Sequence, residues 1–452
     1  MRHWIKDKTK RLLCLYKLKD VFTPNTAAKV TYVERINIED QIERDLSLPG
    51  RAIILYGHSG SGKSTLIRRK FKQLKINFIK VQCEHDTTYE DILLRSIDQL
   101  GVFYVSQKST NRKYHVTNEG KAAYKQLSIS IKSSREESKS ETSLRMVQPQ
   151  VNTQKLAELL GAVKGVLILE DFHKVTDEHK VRIADSLKVF IDCADTYPDL
   201  KVICIGAVDT PRELILQSAD LYPRVSEVFV PLLNDQELKD MIRKGCSALN
   251  IEMSPTLIEK IVFYSNNIAS LAHQMCYDIC YANKIYKRRL FCKHIGDDKF
   301  RHATDAFIER HSDSLKRIYD TSTKDKVGWY VLKTISTYGR AISFSDIRDR
   351  VNRTKETYEP IVIQNKLDEL ISEDVNILRY DKNSEKYSIS TPLWGAFLKT
   401  KLATEKALKE KLNKNKKNRN LSLANTNDID SIVELSFYNF IDRIEPKVNE
   451  DN

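Results

Sequence analysis

The sequence predicts an α/β fold in which helices alternate with the strands of a parallel sheet. Short runs of apolar, β-branched residues recur along the first half of the chain between segments of helical periodicity, an order typical of parallel sheets. The chain has only 14 glycines and 11 prolines among 452 residues, well under the average combined share of about 12%. This scarcity excludes collagen-like, linker-rich and many-turned all-β designs. An apolar share of 41% excludes wholesale disorder.

The strands and helices of this region can be placed from their patterns. Residues 52–56 are unbroken by charge, as expected of a parallel strand buried on both faces. The predicted strands are 52–56, 78–81, 165–169, 201–206 and 225–230. The predicted helices lie within 30–48 and at about 64–74, 88–100, 153–162, 178–195 and 211–218.

Changes of composition divide the chain into five predicted segments. After residue 232 the strand pattern is expected to stop, and helices follow at about 235–249, 255–264, 268–286 and 301–319. Helices at 329–338, 344–351 and 360–372, followed by a hairpin within 377–390, form the pattern of a winged helix. The five segments are a basic amphipathic segment (1–20), an α/β core (21–232) with a Ser- and Lys-rich insertion (103–152), a helical lid (233–322), a winged helix (323–400) and a basic then acidic tail (401–452).

The positive charge is concentrated in a few segments. Lys and Arg outnumber Asp and Glu 74 to 61, a net charge of +13 that favours anionic partners. The insertion 103–152 and the basic run 399–419 either contact such a partner or are merely solvated. The segment 1–20 either packs on a domain or lies on a membrane surface or a partner.

Compartment and cysteine chemistry follow from what the sequence lacks. It shows no secretory signal and no run of 18 apolar residues, so no integral membrane span is expected. Eight cysteines without a C-x-x-C pair indicate a reducing, cytoplasmic setting. His273, Cys276 and Cys280 share one helical face, with Cys292 and His294 close behind. They are either a zinc site or a buried packing stripe.

A phosphate-binding loop is the most specific motif of the chain. It follows a predicted buried strand and precedes a predicted helix, the context that G-x-x-x-x-G-K-[ST] requires. Its glycines let successive N–H groups point at phosphate oxygens, Lys63 would bridge the β- and γ-phosphates of ATP, and Ser64 would ligate Mg²⁺. The nucleotide-binding residues are predicted to be Gly57, His58, Ser59, Gly60, Ser61, Gly62, Lys63, Ser64 and Thr65.

A pair of acids ends the strand at 165–169. Glu170 and Asp171 follow Val166-Leu167-Ile168-Leu169, as in a Walker B motif, but in the reverse of the usual Asp–Glu order. Glu170 is predicted to take the metal-side position and Asp171 to orient or deprotonate the attacking water. A register change of one residue would exchange these roles. The shorter Asp171 predicts slow ATP hydrolysis.

With these motifs the sequence resembles an AAA+ ATPase, of the branch that holds the origin-recognition and cell-division-control initiators, and the related STAND and archaeal-type signalling ATPases. The resemblance covers about residues 21–400. It rests on Tyr32-Val33-Glu34-Arg35, both Walker motifs, Ile205-Gly206-Ala207-Val208-Asp209, Tyr222-Pro223-Arg224-Val225, a helical lid and a winged helix.

The resemblance implies two further catalytic residues. Asp209 matches the sensor-1 position and Arg224 the arginine finger, which completes a neighbouring subunit's site and so implies self-association through ATP. The alternative role of Asp209 is to cap the end of a strand, and that of Arg224 is to form a salt bridge. The stretch 265–273, which matches the sensor-2 region, contains no Arg; His273 is the only candidate substitute there.

Two functions follow from the resemblance. The first is an ATP-binding and hydrolysing switch that assembles on ATP and acts on DNA or a DNA-associated complex. The second is a STAND-like signalling or defence ATPase that passes ATP-driven assembly to a partner effector protein. The predicted recognition helix 360–372 offers Gln364, Asn365 and Lys366 against two acids, so backbone contact with DNA is better supported than base reading, and a protein-docking winged helix is the alternative.

Overall fold

The computed structural model describes residues 16–100, 152–207, 219–353 and 357–418, the last eleven of these by their backbone alone. They form two compact units. One lies within residues 34–232, here called the sheet unit, and the other, here called the helical unit, is built from residues of 1–33 and 233–452. The predictions that lie outside the described residues concern residues 1–15, the insertion up to residue 151, Asp209, the helix 211–218 and the acidic tail.

The sheet unit contains the predicted parallel sheet, which is therefore confirmed. Its described strands lie in the order β2-β3-β4-β1-β5. In β1, Ile53, Ile54 and Leu55 are fully buried, because β4 and β5 flank the strand and helices cover the sheet. The strands are β1 (Ala52–Tyr56), β2 (Asn77–Gln82), β3 (Gly165–Glu170), β4 (Lys201–Gly206) and β5 (Val225–Phe229), each within one residue of its prediction.

The helices of the sheet unit connect these strands and bury one apolar face each. Leu66, Ile67 and Phe71, for example, form the buried face of the helix that follows β1. The described helices are α1 (Ile36–Ser47), α2 (Lys63–Leu74), α3 (Tyr89–Leu100), α4 (Thr153–Ala162) and α5 (Asp177–Asp192). Because every described strand of the sheet unit is parallel to its neighbours, the carboxyl ends of β1 to β5 all lie at one edge of the sheet.

The helical unit contains a short helix at Leu18–Val21 and, from residue 233 onward, begins with five further helices and one pair of strands. The strands β6 (Ile251–Met253) and β7 (Lys293–Ile295) pair in parallel, so the prediction that strands stop after residue 232 is wrong. Three residues are too few to show an alternating pattern between strong helical signals. The helices are α6 (Asp235–Leu249), α7 (Pro255–Ser265), α8 (Ala269–Ala282), α9 (Phe300–Arg310) and α10 (Arg317–Ser322).

The same unit continues with three helices, a small antiparallel sheet and a long helix. The predicted hairpin is present, and β10 pairs with both β8 and β9. Residues 401–418 continue the last helix rather than form a separate tail, since after Gly395 the segment lacks Gly and Pro and is rich in Ala, Leu, Lys and Glu. These elements are α11 (Lys326–Tyr338), β8 (Ile342–Ser343), α12 (Phe344–Val351), α13 (Pro360–Ile371), β9 (Leu378–Asp381), β10 (Lys386–Ile389) and α14 (Pro392–Asn418).

Candidate nucleotide-binding site

The loop from β1 to α2 has the backbone geometry that its glycines allow. Gly57, Gly60 and Gly62 adopt φ angles of +148°, +80° and +91°. A Cβ on Gly57 would lie 2.3 Å from the carbonyl oxygen of Val230, so only glycine fits at that position. Because α2 begins at Lys63, the loop ends on the N-terminus of a helix, where unpaired N–H groups and the helix dipole favour an anion.

Lys63 folds back across this loop. Its Nζ donates to the carbonyl oxygens of Gly57, at 2.8 Å, and His58, at 2.9 Å. Burial lowers the pKa of the Lys63 amine, while Asp171 and Glu170 act in the opposite direction. The amine is thus held above the loop and within electrostatic reach of both acids.

The carboxylate of Glu170 joins the end of β3 to the start of α2. Ser64 Oγ donates to Glu170 Oε1, and Lys80 from β2 donates to Oε2. Arg68 on α2 lies 4.0 Å from Oε2. Burial disfavours the charged carboxylate, but the hydrogen bonds from Lys80 and Ser64 outweigh burial and hold the pKa of Glu170 below its usual value. Glu170 is therefore a carboxylate beside the hydroxyl that was predicted to share its metal ion.

Asp171 is held by a different set of donors. Gln82 Nε2 and Lys174 Nζ each donate to Asp171 Oδ2 at 2.8 Å. The residue itself has a φ of +58°, in the left-handed region that Asp tolerates better than most side chains. This conformation turns the chain out of β3 into the short helical turn Phe172–Lys174, and it gives the two adjacent acids separate partners.

Three of these partners were not predicted. Lys80 and Gln82 lie two residues apart on β2 and so share a face of the sheet, while Lys174 lies one turn after Asp171. The detectable signal is the alternation in β2, where polar residues at 80 and 82 interrupt a strand that is otherwise apolar at 79 and 81. Predicting these partners also requires the order of the strands in the sheet, because Lys80 and Gln82 lie on β2 and donate to the acids that end the neighbouring strand β3.

The site fits a nucleotide phosphate with Mg²⁺. The Ser61 side chain is 2% exposed, and its Oγ finds no hydrogen-bond partner among the described residues. Buried polar atoms are rarely left unsatisfied, so this hydroxyl is suited to a phosphate oxygen. Ser64 Oγ and the Glu170 carboxylate supply adjacent hard oxygen ligands of the kind Mg²⁺ prefers. Of the remaining predicted loop residues, Ser59 is exposed and Thr65 half-buried.

Arg224 lies away from this site. It immediately precedes β5, and Val225 pairs with Ala52 at the amino end of β1, whereas the phosphate loop follows the carboxyl end of β1. The two positions are separated by the length of the strand, about 13 Å. In the structure Arg224 Nη1 lies 2.8 Å from Asp192 Oδ1 at the end of α5, in an exposed ion pair.

The candidate zinc ligands on α8 lie in the core of the helical unit. His273 is 3% exposed; its Nδ1 accepts a hydrogen bond from the Thr23 N–H at 3.1 Å, and its Nε2 lies 3.5 Å from Thr31 Oγ1. Cys276 and Cys280 are fully buried. Among the described residues these three side chains do not converge on a common point that could hold a metal ion. The packing alternative is the one the structure supports.

The parallel sheet and the phosphate loop together define an α/β P-loop NTPase fold. Residues 48–210, just over a third of the chain, match the model of the AAA domain family. No protein of curated function matches the chain in sequence. Within the described part of the chain, no helix combines the length and the apolar character that a membrane crossing requires.

Several solved structures, including the following three, are similar to this chain. A Walker-type ATPase of Pyrococcus abyssi is 14% identical with a TM-score of 0.45, over 81% of this chain and 96% of that one. Cdc6p of Pyrobaculum aerophilum is 14% identical with a TM-score of 0.41, over 84% and 97%. The ORC1 protein of Aeropyrum pernix, solved in complex with DNA, is 14% identical with a TM-score of 0.39, over 84% and 96%.

Proposed function

We propose that the protein binds ATP with Mg²⁺ and hydrolyses it slowly, as a nucleotide-dependent switch. The observation that carries this proposal is the hydrogen bond from Ser64 to Glu170, which joins the phosphate loop to the acid that ends β3. The match of residues 48–210 to an AAA domain supports the same activity. Nucleotide binding depends on the loop, and hydrolysis on the acids beside it.

Each residue of the site has a role that its position supports. The loop N–H groups and the Lys63 ammonium bind the phosphates, and Ser64 with Glu170 would hold Mg²⁺, which supplies positive charge to the phosphate oxygens. Asp171 orients water and accepts its proton, while Gln82 and Lys174 fix the Asp171 carboxylate. Lys80 neutralises part of the negative charge at Glu170.

Binding and turnover can be separated by substitution. Lys63→Ala is expected to weaken ATP binding by at least about a hundredfold, because it removes the ammonium that contacts the phosphates. Asp171→Asn is expected to retain ATP binding and lower turnover by about a hundredfold or more. Fluorescent-nucleotide binding and phosphate release measure the two effects.

The control is Lys164→Ala, which removes an exposed lysine, paired with Asp199, from the same unit. It should leave both measurements unchanged. Unaltered ATP affinity in Lys63→Ala would show that the nucleotide-binding site is wrongly assigned. Normal turnover in Asp171→Asn would remove Asp171 from the chemistry while leaving the binding site intact.

We further propose that the protein self-associates through its ATP site, with Arg224 reaching the site of a neighbouring subunit. Within one chain Arg224 and the phosphate loop lie at opposite edges of the sheet, which supports action on a second copy over action on its own site. An exposed arginine at this edge can stabilise charge on a phosphate held by that copy.

For the target of the switch, we propose contact with a nucleic-acid backbone through the hairpin of the helical unit, which would act as the wing of a winged helix. Arg379, Lys382 and Lys386 are exposed on this hairpin. On α13, by contrast, Gln364 donates to Asp368 and Tyr387, and Lys366 is paired with Asp325 and Glu369. Two of the three predicted donors of α13, Gln364 and Lys366, are thus engaged within the unit, which argues for phosphate contact by the hairpin over base reading by the helix.

A salt titration tests this interaction. The double variant Lys382→Ala/Lys386→Ala is expected to weaken duplex DNA binding and to reduce the salt dependence by about one unit of slope for each phosphate that is no longer neutralised. Lys155→Ala/Lys188→Ala removes the same charge from the sheet unit and is the matched control. Absence of duplex affinity in the parent protein, with ATP-driven assembly intact, would favour a signalling ATPase that acts on a partner protein.

A further inference from the structure

Three side chains of different chemistry converge at the β6–β7 pair. The metal-binding atoms of Glu252, Cys292 and His294 all lie within 4.8 Å of one another. His294 Nδ1 is 3.1 Å from Glu252 Oε2, and all three residues are exposed. Neither ATP binding nor hydrolysis, as proposed above, uses this cluster.

The backbone produces this convergence. Glu252 and His294 are direct partners in the parallel register, so their side chains leave the sheet on the same face. Cys292 lies immediately before β7, two residues before His294, and its Sγ lies within 4.8 Å of the ligand atoms of the other two side chains. The cluster is thus a consequence of strand pairing and not of a chance meeting of two flexible loops.

Both strands are fixed by hydrogen bonds at their ends. The N–H of Arg289 donates to the carbonyl oxygen of Leu249, and the Asn250 side chain donates to the carbonyl oxygens of Arg289 and Leu290. At the other end, the N–H of Ser254 donates to the carbonyl oxygen of Ile295. Little chain entropy remains to be lost when a ligand bridges the strands, which is the condition for a preorganised site.

We propose that Glu252, Cys292 and His294 bind a zinc ion. A thiolate, an imidazole nitrogen and a carboxylate oxygen are the three ligand types that Zn²⁺ takes in proteins, whereas Mg²⁺ and Ca²⁺ take oxygen ligands. Three protein ligands leave the fourth tetrahedral position to water or to a donor from a partner. Because all three residues are exposed, this position is open to solvent.

Zinc at this place would link the two strands next to an exposed apolar segment that precedes β7. Leu290 and Phe291, which precede Cys292, are 79% and 83% exposed. A metal bond to Cys292 would fix the end of the segment that carries them. The ion would thus stabilise the helical unit and hold these two side chains in a defined position.

The experiment titrates the full-length protein, without nucleotide and with Mg²⁺ in excess, against Zn²⁺ in competition with a chromogenic chelator. One zinc per chain is expected, and Cys292→Ser and His294→Ala should each weaken the affinity by at least about tenfold. Co²⁺ in place of Zn²⁺ should give a thiolate charge-transfer band that Cys292→Ser abolishes. Zinc should also raise the melting temperature of the parent protein but not that of Cys292→Ser.

The matched control is Cys193→Ser, which removes a partly exposed thiol of the sheet unit. Its zinc affinity and cobalt spectrum should equal those of the parent. Equal affinity in Cys292→Ser and the parent, or a cobalt complex without a thiolate band, would overturn the proposal and leave Glu252 and His294 as an ordinary pair of exposed side chains. Since no nucleotide is present, either result is independent of the proposed ATPase activity.

Discussion

Two adjacent acids, Glu170 and Asp171, show how neighbouring side chains acquire different tasks. Glu170 receives hydrogen bonds from Ser64 and Lys80, and these keep its carboxyl ionised beside the predicted metal position. Asp171 is turned away by its left-handed backbone and is held by Gln82 and Lys174. The reversed order of the acids therefore still gives the two carboxylates separate surroundings, as the proposed metal and water roles require.

Glycine is required at residue 57 more strictly than at residue 62. An added Cβ on Gly57 would meet a backbone carbonyl at 2.3 Å, whereas one on Gly62 would meet nothing within 4 Å, although both φ angles are positive. Gly62→Ala is expected to cost about 1 kcal/mol of stability from backbone strain alone, and Gly57→Ala clearly more. Urea unfolding of the two variants checks this order, and equal losses would show that the carbonyl of Val230 moves aside freely.

His273 is expected to make the stability of the helical unit depend on pH. Burial lowers the pKa of this imidazole from 6.5 to about 4, so between these values the unfolded chain binds a proton that the folded chain does not. The part of the unfolding free energy that depends on this imidazole is fully present above pH 6.5. It is lost as the pH falls towards 4, at about 1.4 kcal/mol per pH unit.

His273→Asn tests this dependence, because Asn cannot titrate but keeps an acceptor for the Thr23 N–H. The difference in unfolding free energy between the parent and His273→Asn should shrink by about 2 kcal/mol from pH 7 to pH 5. Denaturant unfolding at the two pH values measures it. A difference that stays constant would show that the imidazole takes up a proton as readily in the folded protein as in the unfolded chain.

At the scale of the element, the start of α6 illustrates local sequence control. The Asn234 side chain accepts from the N–H of Glu237, and the Glu237 side chain accepts from the N–H of Asn234, which is a complete capping box. Asn234→Ala is expected to lower stability by about 1 kcal/mol, while Asn234→Asp should be nearly neutral. Denaturant midpoints compare them, and a neutral alanine variant would show that other contacts define this helix end.

Other element boundaries were not readable from local signals. The strands β6 and β7 have three residues each, and the helix predicted at 301–319 is divided by the π-helical segment Ser312–Lys316. The long helix α14 extends through residues that their charge alone assigned to a tail. Length and regularity therefore decided which elements the sequence could predict.

At the scale of the whole molecule, the position of Arg224 leads to a test of assembly. If Arg224 acts on a second subunit, Arg224→Ala should lower ATP turnover by about a thousandfold, while Asp192→Asn, which breaks the same ion pair, should not. If Arg224 serves only the ion pair, the two variants should behave alike and lose little, since exposed pairs contribute about 0–1 kcal/mol.

A mixing experiment makes the same test without relying on a single variant. Lys63→Ala chains retain Arg224 but lack a working site, and Arg224→Ala chains retain the site. If the arginine acts between subunits, mixing the two inactive proteins should restore part of the ATPase activity. No activity in the mixture, under conditions where both proteins assemble, would contradict an intersubunit role.

The sequence by itself determined the parallel sheet, the phosphate loop and the acids after β3, because each depends on a local pattern of apolar periodicity, glycines or adjacent charges. Only the tertiary structure decided which side chains meet. Strand order brings Lys80 and Gln82 of β2 to the acids of β3, helix packing buries His273, and the pairing of β6 with β7 unites Glu252 with Cys292 and His294. Such meetings join residues far apart in the chain, and a local pattern does not say which distant strand or helix becomes the neighbour.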